Sequence, residues 1–311
     1  MRTWAVRLLQ ILLGLAVIAF VWRSVAHHWD QLGATDMPPL QIRPGWAVAS
    51  AATVLATYFL LILAWRFVLS GWGQRMPLRA AVKVWCVSNL GRYVPGKVWA
   101  VAGMAVMAKA HGVDGWAATA SALVMQVIAL ATAVVVVLAT IPALQIGGAD
   151  ISAATLVAAG VFGLGFVWLL TVPAVMTALG RLTGGRFSPR PLTLQAVAAG
   201  TGSALLSWFA YGLALWFLAR SVIPDAPLAL SAAVGSFAAA YMLGLLAIFA
   251  PGGLVVREGV LFGLLAPLVG AGAALILVPA SRLLLTATEV VAAGAALGIS
   301  SSVSNEPTNL E

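Results

Sequence analysis

Stretches without a single charged residue run along this chain from Pro44 to Trp65, Gly115 to Ala149, Ile151 to Gly180, Pro191 to Ala219 and Ala226 to Val256. Each reaches the roughly 20 residues that a helix needs to cross a bilayer. None alternates apolar and polar positions as a barrel strand of about ten residues would, so the pattern predicts helices. The N-terminal "MRTWAVRLLQILLGLAVIAFVW" places Arg2 and Arg7 ahead of another long apolar stretch. With no small-x-small cleavage site before "HHWDQ", it reads as a retained first span rather than a secretory signal.

Two segments interrupt the pattern. "GRYVPGKVW" inserts Arg92, Pro95, Gly96 and Lys97 between apolar residues, and "APGGLVVREGVLFGLL" inserts Pro251, Gly252, Gly253, Arg257 and Glu258. Proline lacks an N–H and is best tolerated in a first helical turn, so Pro95 and Pro251 read as starts of returning half-helices. Each tip would present free N–H groups and a partial positive charge, a ready anion site.

Charge placement sets the topology. Arg2 and Arg7, then Arg66, Arg75, Arg79 and Lys83, mark cytoplasmic segments. If Pro77–Gly112 enters and returns, Lys109 joins them; the later loops then also obey the rule, "PALQIGGAD" outside and "GRLTGGRFSPRP" inside. Spans are expected over Trp116–Ile141, Ser152 to about Leu179, Leu194–Ala219 and about Ala271–Ile299, with the second interrupted segment over Pro227 to about Leu268. The expected fold is an all-α polytopic membrane protein of one transmembrane domain, residues 1–299, with a disordered tail, 300–311. It comprises two inverted repeats, about 1–145 and 150–299, each of three spanning helices and one broken re-entrant hairpin. The alternative is eight simple spans. Pro95 and Pro251 lie 156 positions apart (251 − 95), and a further 31 residues lead from them to Gln126 and Arg282. These two side chains are expected near a pseudo-twofold axis.

Composition agrees: 62% hydrophobic, 8% charged and a mean hydropathy of +1.03, against about 25% charged residues in a soluble domain. The formal charge of +8 resides mostly in short loops and needs no nucleic acid to explain it. One cysteine, Cys86, excludes an internal disulfide, and three scattered histidines offer no metal spacing. No cofactor is expected, and no nucleophile–base arrangement marks an enzyme.

The deep charges are the candidate site. A charge near the bilayer centre costs about 2.5–3.5 kcal/mol on insertion scales, so several at one level point to a cavity. Arg282 and Glu289, seven apart, share a helix face. The competing readings are snorkelling for Arg92 and Lys97, an interfacial pair for Arg257 and Glu258, and a structural pair for Arg282 and Glu289. Asn89, Tyr93 and Trp99 would line the same cavity or serve as interfacial belt residues.

"NLGRYVPGKVW" and "APGGLVVREGVLFGLLAP" resemble two signature stretches of the lysylphosphatidylglycerol synthase transmembrane-region family, which includes the flippase half of the multiple peptide resistance factor. The resemblance covers about Ala5 to Ile299 and is carried by Arg92, Pro95, Gly96 and Lys97 and by Pro251, Gly252, Gly253, Arg257, Glu258 and Gly259. It implies a protein of the bacterial or archaeal cytoplasmic membrane, both termini inside, that moves an aminoacylated or other phosphate-bearing lipid between leaflets. The soluble aminoacyl-transferase domain of the two-domain synthases is not in this sequence, so lysine transfer is not implied. Gln126 stands where relatives often carry an acid, which predicts a Gln126–Arg282 pair and a different substrate.

The expected function is therefore a flippase for an anionic or aminoacylated phospholipid or a polyprenyl-phosphate-linked lipid. The phosphate would be held by Arg92, Lys97, Arg257 and Arg282, with Glu258 and Glu289 neutralising the empty site or coupling to a proton or ion. Self-association is left open. The rivals are a transporter of a small anionic solute, with a closed cavity, and a non-transporting partner of a glycosyltransferase or lipid-modifying enzyme, whose deep charges would pair and leave no cavity.

Overall fold

The computed structural model describes residues 38, 40–93, 99–141, 144–146, 149–151, 153–169, 171–182, 191–246 and 255–298. The expected first span, Pro95–Lys97, Pro251–Gly253 and the tail lie outside them. The described chain is helical apart from a six-residue antiparallel ribbon, β1 (Leu144–Ile146) and β2 (Ala149–Ile151), where a plain loop was expected.

Among the described residues, four helices are long and apolar enough to cross a membrane: α1 (Pro44–Gly71), α4 (Gly115–Thr140), α7 (Leu194–Val222) and α10 (Ala271–Leu297). Their starts carry recognisable signals. Pro44 occupies the first turn of α1. Asp114 Oδ1 accepts from Trp116 N at 2.8 Å and Ala117 N at 2.9 Å to cap α4, and Thr193 Oγ1 accepts from Ala196 N at 3.2 Å to cap α7. Gly270, at φ 86°, makes the corner between α9 (Val256–Val269) and α10.

The fourth expected span is not one helix. α5 (Ala153–Leu169) stops, and α6 (Pro173–Leu182) starts again after Thr171 and Val172. Proline cannot donate to the preceding turn and disfavours α geometry in the residue before it, so the break falls at Pro173. α1 in turn outlasts its predicted end at Trp65 by six residues and holds Arg66 within the helix, its Nε donating to Met76 O at 3.0 Å.

The first interrupted segment folds back on itself. α2 (Leu78–Asn89) tightens into one 3-10 turn, Leu90–Tyr93, and α3 (Trp99–Lys109) returns alongside. A Cβ on Gly91 would meet Ala100 N at 2.7 Å, and one on Gly103 would meet Ser88 Cβ at 3.6 Å, so the two helices are antiparallel and almost touch at the closed end. At the open end Gln74 Oε1 accepts from Asp114 N at 3.0 Å, which joins the residues entering and leaving the segment. The second segment pairs α8 (Leu230–Leu246) with α9; Gly244 backbone lies against Arg257, where an added Cβ would meet Arg257 Cβ at 2.8 Å. α9 begins at Val256: Val255 holds φ 72°, a strained value for a β-branched residue that stops any helix from running through it; Pro251, read from the sequence as a helix start, lies outside the described residues.

α1 and α7 run antiparallel along their length. Ser50 Oγ donates to Ala214 O at 2.6 Å near one end, and Gly71 sits against Ala196 at the other. Buried indole N–H groups tie α4 to both: Trp65 Nε1 donates to Ser121 Oγ at 2.8 Å, and Trp208 Nε1 to Thr132 Oγ1 at 3.1 Å. α4 packs on α8, and α10 packs on α2. Large apolar side chains on the outside, such as Phe67, Val135, Phe162, Leu206 and Val291, are exposed in the manner of a lipid-facing surface.

Candidate functional site

Where the interrupted segments meet the long helices, α1–α4 and α7–α10 line a partly open cavity of about 270 Å³. Arg92, Gln126, Arg257, Arg282 and Glu289 all line it. These five predicted site residues, from both halves of the chain, thus come together in one place; Glu258 does not line the cavity but contacts Arg257 and Arg282, which do. Of the aromatic and polar candidates beside them, Asn89 and Tyr93 line the cavity, whereas Trp99 is half exposed and does not.

The 3-10 turn after α2 aims two side chains at α10. Arg92 Nη1 donates to Glu289 Oε1 at 2.8 Å, and Tyr93 OH donates to Glu289 Oε2 at 2.6 Å with Thr286 Oγ1 3.2 Å away. Arg92 Nη2 also reaches Asn89 Oδ1 at 2.6 Å, and Asn89 Nδ2 anchors itself on Trp85 O at 2.9 Å. The side chain of Glu289 is 9% exposed, and both its oxygens are taken; that of Arg92 keeps 33% of its surface. This ion pair crosses between the two halves of the chain.

The second constellation sits at the start of α9. Glu258 Oε2 accepts from Val255 N at 2.9 Å and so caps the helix that carries it. Its Oε1 takes Arg257 Nη1 at 3.3 Å and Arg282 Nη1 at 3.6 Å. Arg282 and Glu289 share a face of α10 but serve different partners, Glu258 and Arg92. The predicted Gln126–Arg282 pair is absent among the described residues: Arg282 turns to Glu258 and lies with Cζ 5.6 Å from the Tyr93 ring centroid. Geometry favours this, because a carboxylate stabilises a guanidinium more than an amide does.

Arg257 is the most buried cation among the described residues, 3% exposed. Its guanidinium lies 5.2 Å from the Phe237 ring centroid, and Nη2 has no hydrogen-bond partner among the described residues. A buried donor left unmade costs about 1–3 kcal/mol, so a guanidinium with this little support invites an anion.

Sequence reasoning missed three tyrosines of the lining. Tyr58, Tyr211 and Tyr241 line the cavity with Tyr93, so all four tyrosines of the chain converge on it. Tyr58 OH is 3.2 Å from Thr288 Oγ1. Tyr211 stacks on Phe237 at 5.1 Å, and Tyr241 meets Trp208 edge-on at 5.3 Å. A tyrosine in an apolar chain signals only an interfacial ring; four distributed over 184 positions (241 − 58 + 1) carry no hint of convergence before folding.

A model of the lysylphosphatidylglycerol synthase TM region matches residues 7–293. The chain belongs to this family. It is therefore a multi-pass membrane protein of the lysylphosphatidylglycerol synthase and flippase type, in keeping with its four long apolar helices. No curated protein matches it in a sequence comparison.

Proposed function

We propose that this family member is a flippase whose cavity receives the phosphate of an anionic lipid while the acyl chains stay in the bilayer, with no chemical step. The observation that carries the reading is Arg257: a cavity-lining guanidinium, nearly fully buried, whose Nη2 has no protein acceptor among the described residues. Among the described residues, three arginines against two glutamates leave an excess of one positive charge at the site. That excess suits a phosphate monoanion.

The architecture we propose is two inverted repeats with re-entrant hairpins in the cytoplasmic membrane of a bacterium or archaeon, both termini inside. α2 and α3 have 12 and 11 residues and measure about 18 and 17 Å, well short of the roughly 30 Å hydrocarbon core. Equivalent helices of inverted repeats run antiparallel, as α1 and α7 do, and the packing is reciprocal: α4 on α8, α10 on α2. Deep ion pairs are what a non-transporting partner protein would have, but here they border a cavity.

The test is translocation of acyl-labelled phosphatidylglycerol in proteoliposomes. Arg257→Gln is expected to slow it at least about tenfold, and Arg79→Gln, an exposed residue of α2, to leave it unchanged. A folded Arg257→Gln variant that moves lipid at the parent rate would defeat the assignment.

A further inference from the structure

Resting on the anion-site reading above, we propose that the cavity selects a phosphate ester whose remaining head group is neutral and hydroxylated, a polyol or sugar, over one bearing an amino group.

The first support is that no carboxylate is left over. Both oxygens of Glu289 are taken by Arg92 and Tyr93, and those of Glu258 by Val255 N, Arg257 and Arg282. No other Asp or Glu lines the cavity among the described residues, and the neighbouring stretches 94–98 and 247–254 contain none in sequence. An ammonium group entering here would meet three guanidinium groups and find no free counter-charge.

The second support is what does remain unpaired. Gln126 on α4, Tyr211 on α7 and Tyr241 on α8 line the cavity, and their carboxamide and hydroxyl groups have no hydrogen-bond partner among the described residues. All three are neutral and can both donate and accept, which matches hydroxyls and not a formal charge. They also adjoin the phosphate position: Arg257 lies on Phe237, Phe237 stacks on Tyr211, and Tyr241 lies 6.4 Å from the same ring. A phosphate at Arg257 would carry its esterified group against this wall. Aromatic rings also attract cations through their faces, but Phe237 already holds Arg257, and Trp208, Tyr211 and Tyr241 pack on one another. A site whose polar groups are built to meet hydroxyls discriminates strongly against ligands that leave them unpaired.

Competition against acyl-labelled phosphatidylglycerol, with the purified full-length protein in nanodiscs, tests this. Phosphatidylinositol is expected to displace the probe at least about tenfold more effectively than lysylphosphatidylglycerol. Tyr211→Phe and Tyr241→Phe should each weaken phosphatidylinositol about threefold to tenfold, the range for one neutral hydrogen bond, and leave phosphatidic acid, which has no head-group hydroxyls, unchanged. Lysylphosphatidylglycerol competing as well as phosphatidylinositol overturns the proposal, as does equal weakening of phosphatidylinositol and phosphatidic acid by the Phe variants. Arg257→Gln weakening every lipid alike supports the underlying anion site; if it weakens none, that site fails independently of the head-group preference. Free inositol 1-phosphate competing at similar concentration assigns the same chemistry to a soluble solute, and no competition by it assigns the chemistry to a lipid.

Discussion

Glu289 accepts from Arg92 and Tyr93 at once, and it comes from the far half of the chain to do so. Removing its charge leaves the partly desolvated Arg92 guanidinium with Asn89 but without its counter-charge. Loss of one member of a fully buried pair costs about 3–5 kcal/mol; with a third of the Arg92 side chain open to the cavity, Glu289→Gln should cost about 1–3 kcal/mol. Thermal unfolding in detergent measures this, and a double-mutant cycle with Arg92→Gln should recover part of the loss. Additive single effects would show that the pair is not coupled. The charged members of this site were readable in the sequence, because an ionised side chain flanked by apolar runs is costly and therefore conspicuous. Their pairing was not: Arg92 and Glu289 are separated by 197 positions, and Arg282 could as well have faced Gln126 as Glu258.

At the level of elements, the closed end of the α2–α3 pair depends on absent side chains. A methyl group on Gly91 would press on the backbone of Trp99 and Ala100 at 2.7–2.8 Å, where nothing flexible can yield. Gly91→Ala is therefore expected to destabilise by about 1–3 kcal/mol and to displace Arg92, lowering lipid binding as well. Gly202, within α7, has no neighbour within 4 Å of an added Cβ, so Gly202→Ala should be neutral or stabilising by up to about 1 kcal/mol. Equal melting temperatures for the two variants would contradict the close approach. Helix existence followed from the apolar runs. The division of the fourth span was signalled by Pro173 and overlooked, because a proline in a long apolar run is also compatible with a kinked continuous helix in a membrane.

For the whole molecule, entry and return of the first interrupted segment decides the topology. The hydrogen bond between Asp114 N and Gln74 Oε1 holds its two ends together, and under the proposed re-entrant arrangement residues near each end face the same compartment. In a Cys86→Ser background, Arg79→Cys and Lys109→Cys are expected to react with a membrane-impermeant maleimide from the same side. Labelling from opposite sides would turn the segment into a simple span and dissolve the inverted-repeat proposal. The packing of α1 against α7, of α4 against α8 and of α10 against α2 ties the halves together at every level of the cavity. No pattern within either half announces those contacts.

The sequence alone determined that this is a helical, multi-pass membrane protein with two interruptions and a short list of deep charges. It could do so because hydrocarbon penalises unpaired backbone and charge so heavily that both leave a local trace. Only the tertiary structure decided that Arg92 belongs to Glu289, that Glu258 serves Arg257 and Arg282, and that four tyrosines line one cavity. Those choices depend on which helix faces meet, and a helix face acquires its neighbours from packing between segments far apart in the chain, where residue spacing carries no information about distance.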